Sequence, residues 1–129
     1  MRHIVILSVI ALGAAVSAAQ AAPATIEGSW KGSGIVSYRN GADNVQCRVR
    51  YARITAKSFA VSSQCATTSG HYELSGRVIS VGGNRYTGWV QSAQSNQGGG
   101  RVQLVQQGNR LAVTVTSRRG SAKLTLSRG

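Results

Sequence analysis

From Ser29 onward, apolar and polar side chains alternate almost position by position. Trp30, Val36 and Tyr38 stand against Lys31, Ser37 and Arg39, and Tyr72, Leu74 and Val78 against His71, Glu73 and Arg77. The pattern continues with Leu111, Val113 and Val115 against Arg110, Thr114 and Thr116, and with Leu124 and Leu126 against Lys123 and Thr125. A period of two places one set on a buried face of a strand and the other in solvent. Gly, Asn and Ser interrupt the alternation about every ten residues, which is the spacing of an all-β fold. The pattern predicts eight strands: 29–39, 45–54, 58–67, 71–81, 85–93, 101–107, 110–117 and 121–128. Tyr86 and Val90 are expected to face inward, opposite Arg85 and Gln91, which leaves Trp89 as an outward aromatic beside Arg85.

One stretch sets its own register. Cys47 and Cys65 bound the run CRVRYARITAKSFAVSSQC. Folding it about Ala56 pairs residues 53 with 59, 51 with 61, 49 with 63 and 47 with 65, so the cysteines face each other across a hairpin. Val45, Val49, Tyr51, Phe59 and Val61 then share the cysteines' face, and Gln46, Arg48, Arg50, Ser62 and Gln64 share the other. A slip of one residue would exchange the two faces. A Cys47–Cys65 disulfide is expected to pin this register.

Eight strands with short links favour an antiparallel meander. In so short a chain, closure into an eight-stranded up-and-down barrel is the simplest way to remove exposed edges. A two-sheet β-sandwich is the alternative. The inward set holds few aromatics and several Gly and Ser positions, from which a large internal cavity is not expected.

The chain begins with a short basic head, Met1-Arg2-His3, then a mostly apolar run over residues 4–18 and the small-x-small sequence Ala19-Gln20-Ala21. This reads as a secretory signal peptide over residues 1–21, followed by a short tail at 22–28 and one barrel domain at 29–129. The expected location is secreted or periplasmic, a setting in which an even number of cysteines forms disulfides. The full chain has 15 Lys+Arg and 3 Asp+Glu, a formal charge of +12; without Arg2 the remainder is +11. Such a surface draws polyanions from a distance.

Candidate chemistry is sparse. His71 and Glu73 lie two apart on one strand face and form the only acid–base pair to consider, but exposed side chains on a solvated strand explain them better. With the cysteines paired and His71 the single histidine after residue 21, neither a metal site nor a cofactor is expected. Gly82-Gly83-Asn84-Arg85 and Gly98-Gly99-Gly100-Arg101 have the composition of anion cradles, yet each feeds a strand and not a helix N-terminus, so turn chemistry accounts for them. The Gln94–Gly100 link reads as a solvated turn. The outward cations are the stronger signal: Arg48, Arg50, Arg77, Arg85, Arg101, Arg110 and Lys123, together with Trp89, are the candidate anion-binding residues, since flanking cations with an exposed ring suit a base or sugar. No recognition helix or RNP-like motif points to sequence-specific nucleic-acid binding.

Gly28-Ser29-Trp30, at the opening of the first strand, resembles the Gly-x-Trp start of lipocalin-like barrels. That resemblance implies Trp30 as a core anchor closing one barrel end, with a basic side chain from a late strand over its ring; Arg128 and Lys123 are both candidates. Gly28-x-Trp30 followed by the cysteine-paired hairpin is also distantly similar to the small secreted bacterial metalloproteinase inhibitors, eight-stranded barrels whose N-terminal tail enters the protease cleft. Here the corresponding tail, Pro23 to Glu27, is very short, and the downstream sequence departs from theirs. The run from Gly28 to Gly88, with Cys-Arg-Val-Arg-Tyr and Asn-Arg-Tyr-Thr-Gly, looks like a group of uncharacterised small exported bacterial proteins. The expectation is a monomeric, exported, non-enzymatic barrel that binds anionic polysaccharide, lipopolysaccharide or another polyanion, with a proteinase-inhibitor-like barrel, and hence a protease partner, as the alternative.

Overall fold

A computed structural model describes residues 25–93 and 99–129. The expected signal peptide, the start of the tail and residues 94–98 of the β5–β6 link lie outside the described residues. The strands are β1 (Gly28–Tyr38), β2 (Gly41–Arg53), β3 (Ser58–Thr67), β4 (Gly70–Gly82), β5 (Arg85–Ser92), β6 (Gly99–Gln107), β7 (Arg110–Ser117) and β8 (Gly120–Arg128). Each pairs antiparallel with the next, and β1 pairs with β8, so the sheet is a closed barrel in sequence order. The sandwich alternative is thereby set aside.

The alternation read from the sequence is the alternation of burial. Val45, Cys47, Val49 and Tyr51 on β2 are buried while Gln46, Arg48, Arg50 and Ala52 are exposed. The β2–β3 register is that of the folded hairpin, with Arg53 opposite Phe59, Tyr51 opposite Val61 and Cys47 opposite Cys65. The two sulfurs are bonded, and both cysteines face the barrel interior.

Two-residue links make most of the turns. Gly83 and Gly108 open two of them with φ of 60° and 63°, the positive φ that the first position of a type II′ hairpin requires. Two strand limits differ from expectation for a common reason. Gly41-Ala42-Asp43 and Gly99-Gly100 have loop composition, yet their backbones pair with Tyr38–Val36 and with Gln91–Val90; ladder partners supplied by the neighbouring strand override local propensity.

Other glycines serve closure. A Cβ on Gly32 or Gly34 would lie 1.9 or 1.8 Å from a β8 carbonyl oxygen, and one on Gly76 or Gly88 would lie 1.9 Å from the carbonyl of Trp89 or Arg77. At the β1/β8 and β4/β5 seams backbone therefore packs on backbone, a role open only to glycine.

The inward side chains are not uniform in size along the barrel. At the end where β1 begins, Ile26, Trp30, Val78, Leu104, Leu111 and Leu126 are fully buried, and Phe59 meets Tyr86 edge to face at 5.8 Å. Towards the other end the inward positions shrink: Trp30 gives way to Gly32, Gly34 and Val36, Leu104 to Val102 and Gly100, and Leu126 to Leu124 and Ala122. One half of the barrel is solid and the other is not.

Candidate functional site

Three features stand out: a latched closed end, a cavity at the opposite end and a cationic exterior. At the closed end Trp30 donates its indole N–H to the Ile26 carbonyl at 2.8 Å, holding Ile26 at zero exposure as a plug. Arg128 settles the choice of late-strand cation. Directly opposite Trp30 in the β1–β8 ladder, it places its guanidinium carbon 4.4 Å from the indole centroid and donates to the carbonyls of Glu27, at 2.8 Å, and of Thr25. Lys123 pairs instead with Ile35, further along the barrel. A second arginine, which the sequence reasoning did not single out, does the same from β2. Arg53 lies 5.0 Å from the Phe59 ring centroid, forms an ion pair with Glu27 at 3.5 Å and donates to the Thr25 hydroxyl at 3.3 Å. Residues 25–27 are thus clamped between two arginines. The signal for Arg53 was available: it breaks the inward alternation of β2 with a charge at the last position before the turn.

Among the described residues, the opposite end is formed by the β1–β2, β3–β4 and β7–β8 turns together with Ser92, Gly99 and Gly100 at the ends of β5 and β6. Here the described residues line a cavity of about 220 Å³. The Cys47–Cys65 disulfide, Val36, Val45, Leu74, Val90, Val115 and Leu124 form much of its wall, with Tyr38 and with Tyr72, which stands directly opposite Cys65 in the β3–β4 ladder. The small inward residues leave this space because they are concentrated at one end. The cavity is small beside the roughly 300–1,000 Å³ of pockets for drug-sized ligands. Asp43 braces the rim by accepting from the Thr68 hydroxyl at 2.7 Å and the Ser69 hydroxyl at 3.4 Å. Partial burial, then the neighbouring Tyr72 and Asp43, raise the Tyr38 phenol above its ordinary pKa.

On the exterior, Arg48, Arg50, Arg77, Arg85, Arg101, Arg110 and Lys123 are all exposed, as the alternation required. Trp89 is outward too, at 52% exposure. Its neighbours differ from expectation. The residues directly opposite Trp89 are Arg77 on β4 and Arg101 on β6, whereas Arg85 lies four residues along the same strand, opposite Val105. Cross-strand neighbours have Cβ atoms about 5 Å apart, while residues four apart on one strand are separated by about 13 Å. Arg77, Trp89 and Arg101 therefore form one row across three strands. A second group joins Lys31 to Arg48, which face each other on β1 and β2, with Arg50 next on the same face. Arg85 and Arg110 stand apart near the closed end, and Lys123 pairs with Thr114 and Ile35.

His71 and Glu73 are exposed on β4, opposite Ala66 and Gln64. Among the described residues they form no ion pair with each other, and no group of three or more His, Cys, Asp or Glu is placed to hold a metal.

An eight-stranded antiparallel barrel closed in sequence order and plugged at one end by Ile26 is lipocalin-like in architecture. No protein-family model and no curated protein matches the chain. Among solved structures, the redesigned β barrel mFAP1, bound to DFHBI, superposes with a TM-score of 0.68 at 12% identity, over 79% of this chain and 94% of that one. A de novo designed fluorescence-activating β barrel gives 0.62 at 16% identity, over 80% and 93%. Rv2717c from M. tuberculosis gives 0.50 at 11% identity, over 80% and 92%. At such identities the likeness is one of fold.

Proposed function

We propose that this is an exported, monomeric, non-enzymatic binding protein whose cationic exterior associates with anionic polymers of the cell envelope or its surroundings. The observation that carries the reading is the row Arg77–Trp89–Arg101, in which an exposed indole is flanked on both neighbouring strands by guanidinium groups. A sugar or base stacked on the ring leaves its phosphate, sulfate or carboxylate groups within reach of either cation. The Lys31–Arg48–Arg50 group and the net charge add long-range attraction. The disulfide fits an oxidising compartment. The inhibitor-like alternative calls for a tail that enters a protease cleft; the engagement of Thr25 and Glu27 by Arg53 and Arg128 favours the exterior reading over it.

The test is retention of the purified protein on immobilised anionic polysaccharide, lipopolysaccharide and DNA over a salt series. Log affinity is expected to fall linearly with log salt as counterions are released. The double substitution Arg77→Gln, Arg101→Gln should flatten that slope. Low-salt retention no greater than that of a neutral protein would overturn the proposal.

A further inference from the structure

We propose that the outer wall of the barrel between the β2–β3 turn and β5 docks on an anionic phospholipid bilayer, with Ile79, Val81 and Trp89 entering its interfacial zone. The proposal rests on the cationic exterior described above and adds to it the apolar side chains which that exterior carries.

Six large apolar side chains are exposed among the described residues, and four of them, Ile54, Ile79, Val81 and Trp89, gather on this one wall. Ile79 stands opposite Ser58 on β3. The Ile54 amide donates to the Ser58 carbonyl at 2.9 Å, which puts Ile54 just beyond it. On the other side Ile79 is opposite Thr87, two residues before Trp89 on the same face of β5. Val81 is the extra residue of the bulge between Ser80 and Gly82, a device that re-aims a side chain out of the regular ladder. From Trp89 the patch runs towards the closed end, away from the end of β5 at Ser92. Single apolar residues on a surface need no explanation, whereas a contiguous group marks an interaction site.

Charge names the partner. Arg77 and Arg101 flank Trp89, and Arg85 is opposite Gly82 beside the bulge. Lys57 lies in the β2–β3 turn, where its carbonyl accepts from the Ser80 amide at 2.8 Å. Glu73, the one carboxylate on β4, β5 or β6, is about 13 Å from Arg77 along the strand. A second copy of this chain would set these cations against their own copies with no acid between them. A polysaccharide gives the aliphatic side chains of Ile79 and Val81 little to bury against. A protein would need an acidic and concave surface to receive side chains that protrude from a convex wall. A bilayer of anionic lipid meets both demands without being pre-shaped. Its headgroups attract the cations, its interface takes the indole ring, and the acyl boundary takes the aliphatic groups.

Trp89 reports the contact directly, since Trp30 is only 1% exposed. The exported protein is mixed with vesicles of equimolar phosphatidylcholine and phosphatidylglycerol, with vesicles of phosphatidylcholine alone, and with dextran sulfate. The anionic vesicles are expected to shift the tryptophan emission to the blue, and brominated acyl chains in them to quench it. The double substitution Ile79→Ser, Val81→Ser keeps every charge. It should weaken binding to anionic vesicles at least tenfold and leave dextran sulfate binding unchanged. Dextran sulfate binding without acyl-chain quenching overturns the bilayer proposal and leaves the polymer reading standing. Unchanged vesicle affinity in the folded double variant overturns it too. Binding to neither anionic vesicles nor dextran sulfate overturns both readings. A lipid-free dimer that the double substitution disperses would assign the wall to a second copy instead. Acyl-chain quenching of the unaltered protein decides the matter even if the variant does not fold.

Discussion

Arg128 and Trp30 face each other across the seam that closes the barrel, guanidinium carbon 4.4 Å from the indole centroid, while the same arginine holds the carbonyls of Thr25 and Glu27. One side chain thus joins the last strand, the first strand and the plug. Ile26 is fully buried because the chain at 25–27 is held down on both sides, by Arg128 and by Arg53. Closure and plugging are one structural event.

Arg128→Ala is therefore expected to cost about 2 kcal/mol, from the lost ring contact and charged hydrogen bonds. Arg128→Lys should recover little of it, since an ammonium lacks the planar fork that spans two carbonyls above a ring. Denaturant unfolding of the three proteins checks both statements; full rescue by lysine would show that charge alone matters at this position.

The disulfide joins residues separated by 18 in sequence and directly opposed in the ladder. In the chain-entropy model a loop of that size contributes about 3 kcal/mol. Reduction is expected to lower the thermal midpoint by about 10 °C or more. Equal midpoints with and without reductant would show that packing around β2 and β3 holds the register unaided.

The seam glycines should be intolerant of any side chain. In Gly76→Ala the new Cβ would meet the Trp89 carbonyl oxygen at 1.9 Å, and in Gly88→Ala the Arg77 carbonyl at the same distance. Each is expected to cost about 3 kcal/mol or more, or to prevent folding. Ser75→Ala, on the exposed face next to Gly76, should change stability by less than about 0.5 kcal/mol. A wild-type melting curve for Gly76→Ala would mean that the β4/β5 seam can open without penalty.

Stability should fall steeply in strong alkali. Burial pushes the Tyr51 phenol well above its ordinary pKa of 10.0, because the closed core accommodates the neutral form only. That contribution is complete below pH 10 and is lost as the pH rises from there towards the folded-state pKa. Tyr51→Phe is expected to reduce the slope of stability against pH above 10, read from urea unfolding at a series of alkaline pH values. An unchanged slope would place the alkaline sensitivity elsewhere.

The strands, their inward faces and the β2–β3 register were legible in the sequence because each follows from a period of two and one covalent bond. Val49, Tyr51 and Phe59 fall on the buried face once residues 47 and 65 are paired. The neighbours of Trp89 were not legible. They depend on the β4–β5 register, which shifts at a bulge between Ser80 and Gly82, and on a β5–β6 connection whose length does not fix the pairing. Arg85, close in sequence, was the natural neighbour to expect; Arg77 and Arg101, 12 residues to either side of Trp89, are the actual ones. The same holds at the barrel end, where Arg128 and Lys123 were equal candidates until the β1–β8 register set Arg128 opposite Trp30.

Alternation and a local disulfide act between near neighbours in the chain. The amino-acid order was therefore enough to define an eight-stranded antiparallel fold, its buried and cationic faces, and the hairpin stapled by Cys47 and Cys65. Three things waited for the closed barrel: which cations share a row with Trp89, that Ile26 plugs one end under Arg53 and Arg128, and that the other end is hollow. Each depends on the closure of eight strands around a common axis. Closure fixes the relative height of residues up to a hundred positions apart and gathers the small inward residues into one half of the barrel.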